Sequence, residues 1–267
     1  MLSAVFDLVD SGLKKRGGLT VLGICGAQGS GKSTVAHAVL QQCTERAIPA
    51  AALSLDDLYL TKAERERLGR EIHPLLRTRG VPGTHDVALG LEVLSGLARG
   101  EPVPLPRFDK ADDDRAPPSA WPVAPAGCRV VVFEGWCVGA RPQNADALHE
   151  PINALEALED ADGAWRRYAN EALAGGYQRL FARIDKLALL AAPGFEVVFD
   201  WRMQQEEQLR EASGPDASGV MDAAGVARFI QHYERLTRYI LAEMPGRADL
   251  TIRLDRDRSP LAIERRS

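Results

Sequence analysis

Gly26-Ala27-Gln28-Gly29-Ser30-Gly31-Lys32-Ser33 matches the phosphate-binding pattern G-x-x-x-x-G-K-[ST], and its surroundings support the match. The residues before it, 19–25, form a short apolar run of the kind found in buried parallel strands. The residues after it, 32–43, place apolar side chains on one face of a helix. A strand, a glycine loop and a helix in this order predict a nest of backbone N–H groups, which attracts a phosphate because the donors and the helix dipole both favour negative charge. We expect this loop, together with Thr34, to bind a nucleoside triphosphate.

Two side chains of the loop have predicted roles of their own. Lys32 is expected to reach the β- and γ-phosphates, and the Ser33 hydroxyl is expected to bind Mg²⁺. A further Mg²⁺-side carboxylate is predicted at Glu134, because this acid ends the apolar run 129–134 and an acid at such a place acts on the ion through a water molecule. The alternative for Glu134 is a solvated glutamate with no role in catalysis.

The composition is that of an ordinary globular protein. Of the 267 residues, 45% are hydrophobic and 26% are charged, so the chain can bury a sizeable core. The net charge of −4 argues against a general surface for nucleic acids or anionic membranes. The four cysteines form no C-x-x-C pair, which favours reduced thiols in a cytoplasmic protein. No transmembrane span or signal peptide is predicted, and the N-terminal stretch instead has the pattern of an amphipathic helix that ends near Gly17.

A second strand is predicted to bring two carboxylates to the phosphate loop. Residues 50–55 are mostly apolar and run into Asp56 and Asp57. In an open parallel sheet the ligand crevice lies beyond the carboxyl ends of the strands, so both acids should lie at the same edge as the loop. Asp56 is the candidate for the base that takes the proton of an acceptor hydroxyl.

The rest of the chain is predicted to add substrate loops and to complete the sheet. Residues 72–127 are rich in proline and charge, with one helix between 86 and 99, and loops of this length more often bind ligands than merely connect elements. The pattern is then helical over 145–190, and it indicates a strand at 195–199, a helix at 225–244 and a last strand at 249–254. The expected fold is a three-layer α/β/α P-loop NTPase fold with a mainly parallel sheet, and residues 1–267 are expected to form one domain.

The chemistry around the loop favours a small-molecule kinase. No [NT]-K-x-D segment that would recognise a guanine base is present. Phosphoryl transfer needs alignment, a base and positive charge over the migrating group, and Arg202 is the candidate for that charge. It would belong to a lid over residues 201–225, with a flexible break at 213–219. Spacing supports equally a surface ion pair between Arg202 and Glu206, which follows four residues later.

Several segments resemble one group of kinases and follow each other in the order found in that group. They are Ser54-Leu55-Asp56-Asp57-Leu58-Tyr59-Leu60-Thr61, Arg79-Gly80-Val81-Pro82-Gly83-Thr84-His85-Asp86, Leu105-Pro106-Arg107-Phe108-Asp109-Lys110, Asp114-Arg115-Ala116, Ser119-Ala120-Trp121-Pro122, Phe133-Glu134-Gly135-Trp136 and Trp201-Arg202-Met203-Gln204. The group is that of uridine kinase, phosphoribulokinase and pantothenate kinase. Within it, the chain is most similar to D-glycerate 3-kinase of the plant and fungal type and its bacterial kinase-like relatives.

The resemblance implies an ATP- and Mg²⁺-dependent kinase that acts on D-glycerate, with Asp56 as the catalytic base. A small hydroxy acid needs cationic or N–H donors for its carboxylate, and the loops supply candidates for them. The substrate-binding residues expected in this region are Asp57, Tyr59, Arg79, His85, Asp86, Arg107, Asp109, Lys110 and Arg115. The acidic run Asp112-Asp113-Asp114 departs from the plant form, which has small residues and glycine there.

Two other readings of the same residues stay open. A uridine-type nucleoside kinase or a pantothenate-type kinase would share the phosphate loop and the base but not the acceptor. A function of a different class is a non-catalytic ATP-binding protein that uses residues 72–127 to hold and regulate a partner. An ATP turnover that rises with a small hydroxy acid, rather than with a protein, would separate the two classes.

Overall fold

The computed structural model describes residues 1–16, 18–213 and 221–266. The helices are α1 (Leu2–Arg16), α2 (Lys32–Glu45), α3 (Lys62–Glu71), α4 (Val87–Ala98), α5 (Ala154–Glu159), α6 (Ala164–Ala172), α7 (Gln178–Phe181), α8 (Val197–Ser213) and α9 (Ala223–Glu243). The strands are β1 (Thr20–Gly26), β2 (Ala50–Ser54), β3 (Val103–Pro104), β4 (Phe108–Asp109), β5 (Asp114–Arg115), β6 (Val123–Ala124), β7 (Val130–Gly135), β8 (Lys186–Ala191), β9 (Leu250–Leu254) and β10 (Pro260–Arg265). A 3₁₀ turn (Leu55–Leu58) follows β2, and a π-helical turn (Leu173–Tyr177) joins α6 to α7.

The main sheet has the strand order β10-β9-β8-β1-β7-β2. Neighbouring strands from β9 to β2 are parallel, and β10 pairs antiparallel with β9. The carboxyl ends of β1, β7 and β2 lie side by side, because Glu134 is in register with Ile24 on one side and with Ser54 on the other. The predicted three-layer α/β/α fold with a mainly parallel sheet is confirmed.

Apolar side chains cover both faces of this sheet. Successive residues of a strand point to opposite faces, so Leu22 and Ile24 of β1 pack with α1, α2 and α8, whereas Val21 and Cys25 pack on the side of α4 and α7. Burial on both faces explains why the central strands are continuous apolar runs rather than alternating ones. In β1, β2 and β7 the polar side chains Thr20, Ser54 and Glu134 accordingly lie at or near the strand ends.

Two predictions for the second half of the chain are wrong. The helical prediction for 145–190 included residues 186–190, but Lys186–Ala191 form β8 between β1 and β9. Residues 195–199, predicted as a strand, instead run into the first turn of α8, where Val197, Val198 and Trp201 pack in the core on one helical face. The first segment has no β-branched residue and the second has two, so local preference favoured the wrong element in both places and tertiary packing overrode it. Strand β10 was not anticipated.

Other predictions agree with the structure. The N-terminal helix, the helix within the proline-rich loops and the long C-terminal helix are α1, α4 and α9. The four cysteines are buried and carry free thiols. Among the described helices, none combines the length and the apolar character needed to cross a bilayer. The predicted helix end at Gly17 and most of the predicted break at 213–219 lie outside the described residues.

Candidate active site

The phosphate loop joins β1 to α2 with the backbone that its glycines allow. Gly29 and Gly31 have φ angles of 76° and 86°, in the left-handed region that other residues rarely adopt. The Ser30 N–H bonds to the Ala27 carbonyl at 3.1 Å and closes the loop. Gly31 is the N-cap of α2 and has no side chain to offer to the first N–H groups, which leaves the positive end of the helix to a phosphate. Nucleotide binding by residues 26–34 fits this geometry and stays a prediction.

Arg258, which the sequence did not indicate, holds the loop from outside. Its Nε donates to the Gly29 carbonyl at 2.5 Å, and its guanidinium lies 5.2 Å from the centre of the Trp201 ring. A Cβ at residue 29 would lie 2.6 Å from the Trp201 Cβ, so the close approach of Trp201 to the loop requires glycine at this position. Arg258 belongs to the turn between β9 and β10, 229 residues from Gly29, and no local pattern connects the two.

Beside the loop lies an open cleft in which charged side chains from separate elements meet. We call it the Lys32 cleft, and it is lined by Gln28, Lys32, Asp56, Tyr59, Arg79, Lys110, Trp136, Arg202, Phe229 and Tyr233. Six of these ten residues were predicted from the sequence as catalytic or substrate-binding residues: Lys32, Asp56, Tyr59, Arg79, Lys110 and Arg202. The cleft therefore brings the predicted base, the phosphate-loop lysine and three further cations to one place.

Asp56 lies in this cleft with both carboxylate oxygens engaged. The Tyr59 hydroxyl donates to Oδ1 at 3.0 Å, and Lys110 Nζ donates to Oδ2 at 2.9 Å. Burial would raise the pKa of Asp56, but the charges of Lys110 and Lys32 and the two hydrogen bonds outweigh it and hold the pKa well below its usual range. Asp56 is therefore ionised at neutral pH, as a group that accepts a proton must be.

Asp57 serves a different part of the site. It lines a second depression, the Glu134 cleft, whose residues are Ser33, Ala36, His37, Leu40, Ala52, Ser54, Asp57, Arg107 and Glu134. Its Oδ1 accepts the Phe108 N–H at 3.1 Å, and its Oδ2 pairs with Arg107 at 3.1 Å. Burial raises the pKa of Asp57. Asp57 thus anchors the predicted substrate loop that carries Arg107 and Phe108, and it does not line the Lys32 cleft.

The predicted Mg²⁺ ligands Ser33 and Glu134 meet in the Glu134 cleft. Oε1 of Glu134 accepts hydrogen bonds from Ser33 Oγ at 3.1 Å and from Ser54 Oγ at 3.0 Å. Its Oε2 is buried without a hydrogen-bond partner in the part of the chain that the structure describes. A buried carboxylate oxygen without a partner is costly, and Mg²⁺ prefers oxygen ligands. These residues therefore fit such an ion.

His85 lies behind Tyr59 and is not a cation. The two rings stack with their centres 4.6 Å apart, and His85 Nδ1 lies 2.6 Å from the Tyr177 hydroxyl. Burial lowers the pKa of His85 to about 3, so the ring is neutral at pH 7. The sequence-based interpretation of His85 as a positive partner for a carboxylate is corrected by this burial, which leaves it to support the Tyr59 ring.

Three other predicted substrate residues are engaged within the protein and do not line the Lys32 cleft. Arg115 donates to the Tyr59 carbonyl at 2.9 Å and pairs with Asp86 at 3.1 Å. Asp86 also caps α4 by accepting the Leu89 N–H at 3.0 Å. Asp109 accepts two N–H groups of its own hairpin. Direct contact of these residues with a substrate stays a prediction, and their observed partners give them a role in shaping the loops.

Arg202 makes the ion pair that its spacing predicted and lines the Lys32 cleft as well. Its Nη2 pairs with Glu206, its Nη1 donates to Gln205 Oε1 at 3.1 Å, and its guanidinium lies 5.6 Å from the Phe229 ring centre. Glu206 is only 1% exposed and also accepts the Met221 N–H at 2.9 Å. The ion pair holds the guanidinium at the cleft, so the structural and the catalytic interpretation of Arg202 are compatible.

Replacement of Arg202 separates these two contributions. Arg202→Ala is expected to lower kcat by about a hundredfold, because it removes positive charge from the cleft in which the sequence predicts phosphoryl transfer. The affinity for ADP, measured by calorimetry, should stay nearly unchanged. Arg228→Ala is the matched control, since Arg228 is an exposed arginine paired with Glu159 outside the cleft. An Arg202→Ala protein with wild-type kcat and a lowered melting temperature would assign Arg202 to the ion pair alone.

Some cleft residues carried no signal in the sequence. Phe229 and Tyr233 fit the apolar stripe of α9, so their periodicity indicated only core packing. Ser54 is different, because it ends β2 directly before the predicted base and a closer look at that strand end could have found it.

Comparison with known proteins gives a family and several relatives. The family described as phosphoribulokinase/uridine kinase matches residues 21–140, which include the phosphate loop, both acids after β2 and all of the predicted substrate loops at 72–127. The chain is 32% identical over 277 residues to the uncharacterized kinase mug58 of Schizosaccharomyces pombe, and the alignment covers 98% of each chain. The similarity therefore extends over nearly the whole length of both sequences.

Two further comparisons involve glycerate kinases. The chain is 30% identical over 262 residues to the chloroplastic D-glycerate 3-kinase of Arabidopsis thaliana; the alignment covers 90% of this chain and 54% of that protein, about half its length. The structure of D-glycerate 3-kinase from Cryptococcus neoformans var. grubii superposes with a TM-score of 0.80 at 24% identity, covering 99% of this chain and 97% of the other. This last comparison is a likeness of fold.

Proposed function

Since this chain belongs to the phosphoribulokinase/uridine kinase family and is an ATP-dependent phosphotransferase with a hydroxyl acceptor, we propose that its acceptor is D-glycerate and its product 3-phosphoglycerate. The observation that carries the proposal is the Lys32 cleft, where the carboxylate of Asp56 lies together with the cations of Arg79 and Lys110. A small hydroxy acid presents a hydroxyl to a base and a carboxylate to a cation, and the cleft offers a partner for each. The resemblance to D-glycerate 3-kinases supplies the identity of the acid.

The proposed reaction is a direct transfer. The acceptor oxygen forms a bond to the γ-phosphorus of ATP while the bond from that phosphorus to the β–γ bridging oxygen breaks, and ADP leaves. The acceptor proton passes to Asp56. A carboxylate of low pKa suffices as this base, because the transition state is loose and the proton becomes acidic only as its oxygen bonds to phosphorus. Lys32 and Arg202 stabilise the charge on the migrating group.

ATP would be held by residues 26–34, and Mg²⁺ by the Ser33 hydroxyl with Glu134 acting through a water molecule. When bound there, Mg²⁺ would supply positive charge that neutralises the phosphates. Oε2 of Glu134, which is buried without a partner among the residues that the structure describes, supports this assignment. We take residues 1–267 as one kinase domain, because residues from the substrate loops and from α8 line the same cleft.

Coupled ADP-release assays with D-glycerate, L-glycerate, uridine and pantothenate test the acceptor. We expect saturable turnover with D-glycerate and little with uridine, since a nucleoside has no carboxylate to bind the donors that Arg79 and Lys110 bring to the cleft. Identification of the product by ³¹P NMR distinguishes the 3-phosphate from the 2-phosphate. Turnover on uridine with none on D-glycerate would refute D-glycerate as the acceptor but not the assignment as a kinase. ATP turnover that responds only to a protein would favour the regulatory alternative.

A further inference from the structure

Five residues were candidates for the cation that binds the acceptor carboxylate: Arg79, His85, Arg107, Lys110 and Arg115. Their surroundings show which of them are available for this role. His85 is buried and neutral, and Arg115 is held at the Tyr59 carbonyl. Arg107 lines the Glu134 cleft. Of this set, Arg79 and Lys110 line the Lys32 cleft. The acceptor carboxylate therefore has two candidate partners beside the base.

These two cations differ in how they are held. Lys110 is 62% exposed, and its Nζ donates a hydrogen bond to Oδ2 of Asp56, so its charge stabilises the ionised carboxylate of the base. Arg79 is 26% exposed and carries a planar fork of donors, which matches a carboxylate in two parallel hydrogen bonds. Partial burial and planar geometry both favour Arg79 for specific recognition of an acid.

The backbone at Arg79 is fixed on the wall of the cleft. The Tyr233 hydroxyl donates to the Arg79 carbonyl at 3.1 Å, and the Trp136 Nε1 donates to the Gly80 carbonyl at 2.9 Å. Gly80 has a φ angle of 140°, and a Cβ there would collide with the Tyr233 hydroxyl. The absence of a side chain at residue 80 thus lets this segment approach α9 closely, which sets the starting point of the Arg79 side chain.

The guanidinium of Arg79 is held by an acid that has its own anchor. Arg79 Nη1 pairs with Asp113 Oδ1, and the guanidinium lies 5.4 Å from the Phe108 ring centre. Arg65, only 2% exposed, binds Asp113 through Nη2, at 3.0 Å from Oδ2 and at 2.5 Å from the backbone carbonyl. Arg65 also donates to two further backbone carbonyls. Asp113 is therefore fixed independently of Arg79.

We propose that Arg79 binds the carboxylate of the acceptor and that Asp113, fixed by the buried Arg65, is the positioning residue that orients Arg79 for it. This inference rests on the proposed function, because it requires an acidic acceptor. With Nη1 turned to Asp113, the edge formed by Nε and Nη2 has no hydrogen-bond partner among the described residues and suits a bidentate contact with a carboxylate.

Steady-state kinetics of Asp113 variants test the proposal. Asp113→Ala should raise the KM for D-glycerate about tenfold, with kcat and the KM for ATP near wild type, because orientation of a binding group changes affinity rather than chemistry. Asp113→Asn should restore most of the affinity, since Asn keeps an oxygen for Arg79 and tolerates the φ angle of 53° at this position. Arg79→Lys should raise the same KM by removing the fork. Asp112→Ala removes an exposed neighbouring acid and is the matched control, with an expected wild-type KM.

A binding measurement makes the outcome independent of turnover. D-lactate has the carboxylate of D-glycerate but no terminal hydroxyl, so it should act as a competitive inhibitor whose Ki rises with the KM in Asp113→Ala and Arg79→Lys. A wild-type KM and Ki in both variants would overturn the inference and leave D-glycerate as the acceptor. If the wild-type protein turned over only uncharged acceptors such as uridine, the inference and the proposed function would both be overturned.

Discussion

Asp56→Asn is expected to lower kcat for D-glycerate by about a thousandfold, while ATP still binds. The amide cannot take the proton of the acceptor hydroxyl, yet it has the shape of the carboxylate and keeps an oxygen for the Tyr59 hydroxyl or for Lys110. Single-turnover phosphorylation measures the chemical step, and calorimetry measures ATP binding. A loss of rate with retained nucleotide affinity would place Asp56 in the transfer step rather than in folding.

Asp57→Asn is the matched control, because it makes the same substitution one residue along the chain. Asp57 lines the Glu134 cleft, where it pairs with Arg107 and accepts the Phe108 N–H, so its loss should loosen the substrate loop and cost less than about tenfold in kcat. The reverse ranking of the two variants would transfer the role of the base to Asp57.

Lys32→Ala is expected to lower kcat by about a hundredfold or more, since it removes the positive charge predicted to lie on the β- and γ-phosphates. The melting temperature should stay close to wild type, because Lys32 lines an open cleft and does not belong to the core. ADP release under saturating ATP and D-glycerate gives the rate, and Lys62→Ala, at an exposed lysine that begins α3, serves as the control. Turnover of Lys32→Ala at the wild-type rate would show that the loop is not the site of phosphate binding.

The elements that could be predicted are those whose signal is local. The strand, loop and helix around residues 26–33 are contiguous, so composition and periodicity describe the whole unit. The end of β2 and the end of β7 could be placed beside the loop without coordinates, because parallel strands expose their carboxyl ends at one edge of the sheet. The prediction for β8 was wrong for the opposite reason. The sequence of this segment continues a helical pattern, and only its pairing with β1 and β9 makes it a strand.

The sequence by itself determined the phosphate loop, the family of the fold and a list of charged residues that includes Asp56, Arg79 and Arg202. Only the tertiary structure decided which of these residues lie in the cleft. It showed that Asp56 is the acid that shares a cleft with Lys32 and that other candidates are held within the protein. It also showed that His85 is buried and neutral. The physical reason is that charge state and orientation depend on burial and on partners far away in the chain. Arg79 meets Asp113 34 residues away, and Arg258 meets Gly29 229 residues away, contacts that no local spacing encodes.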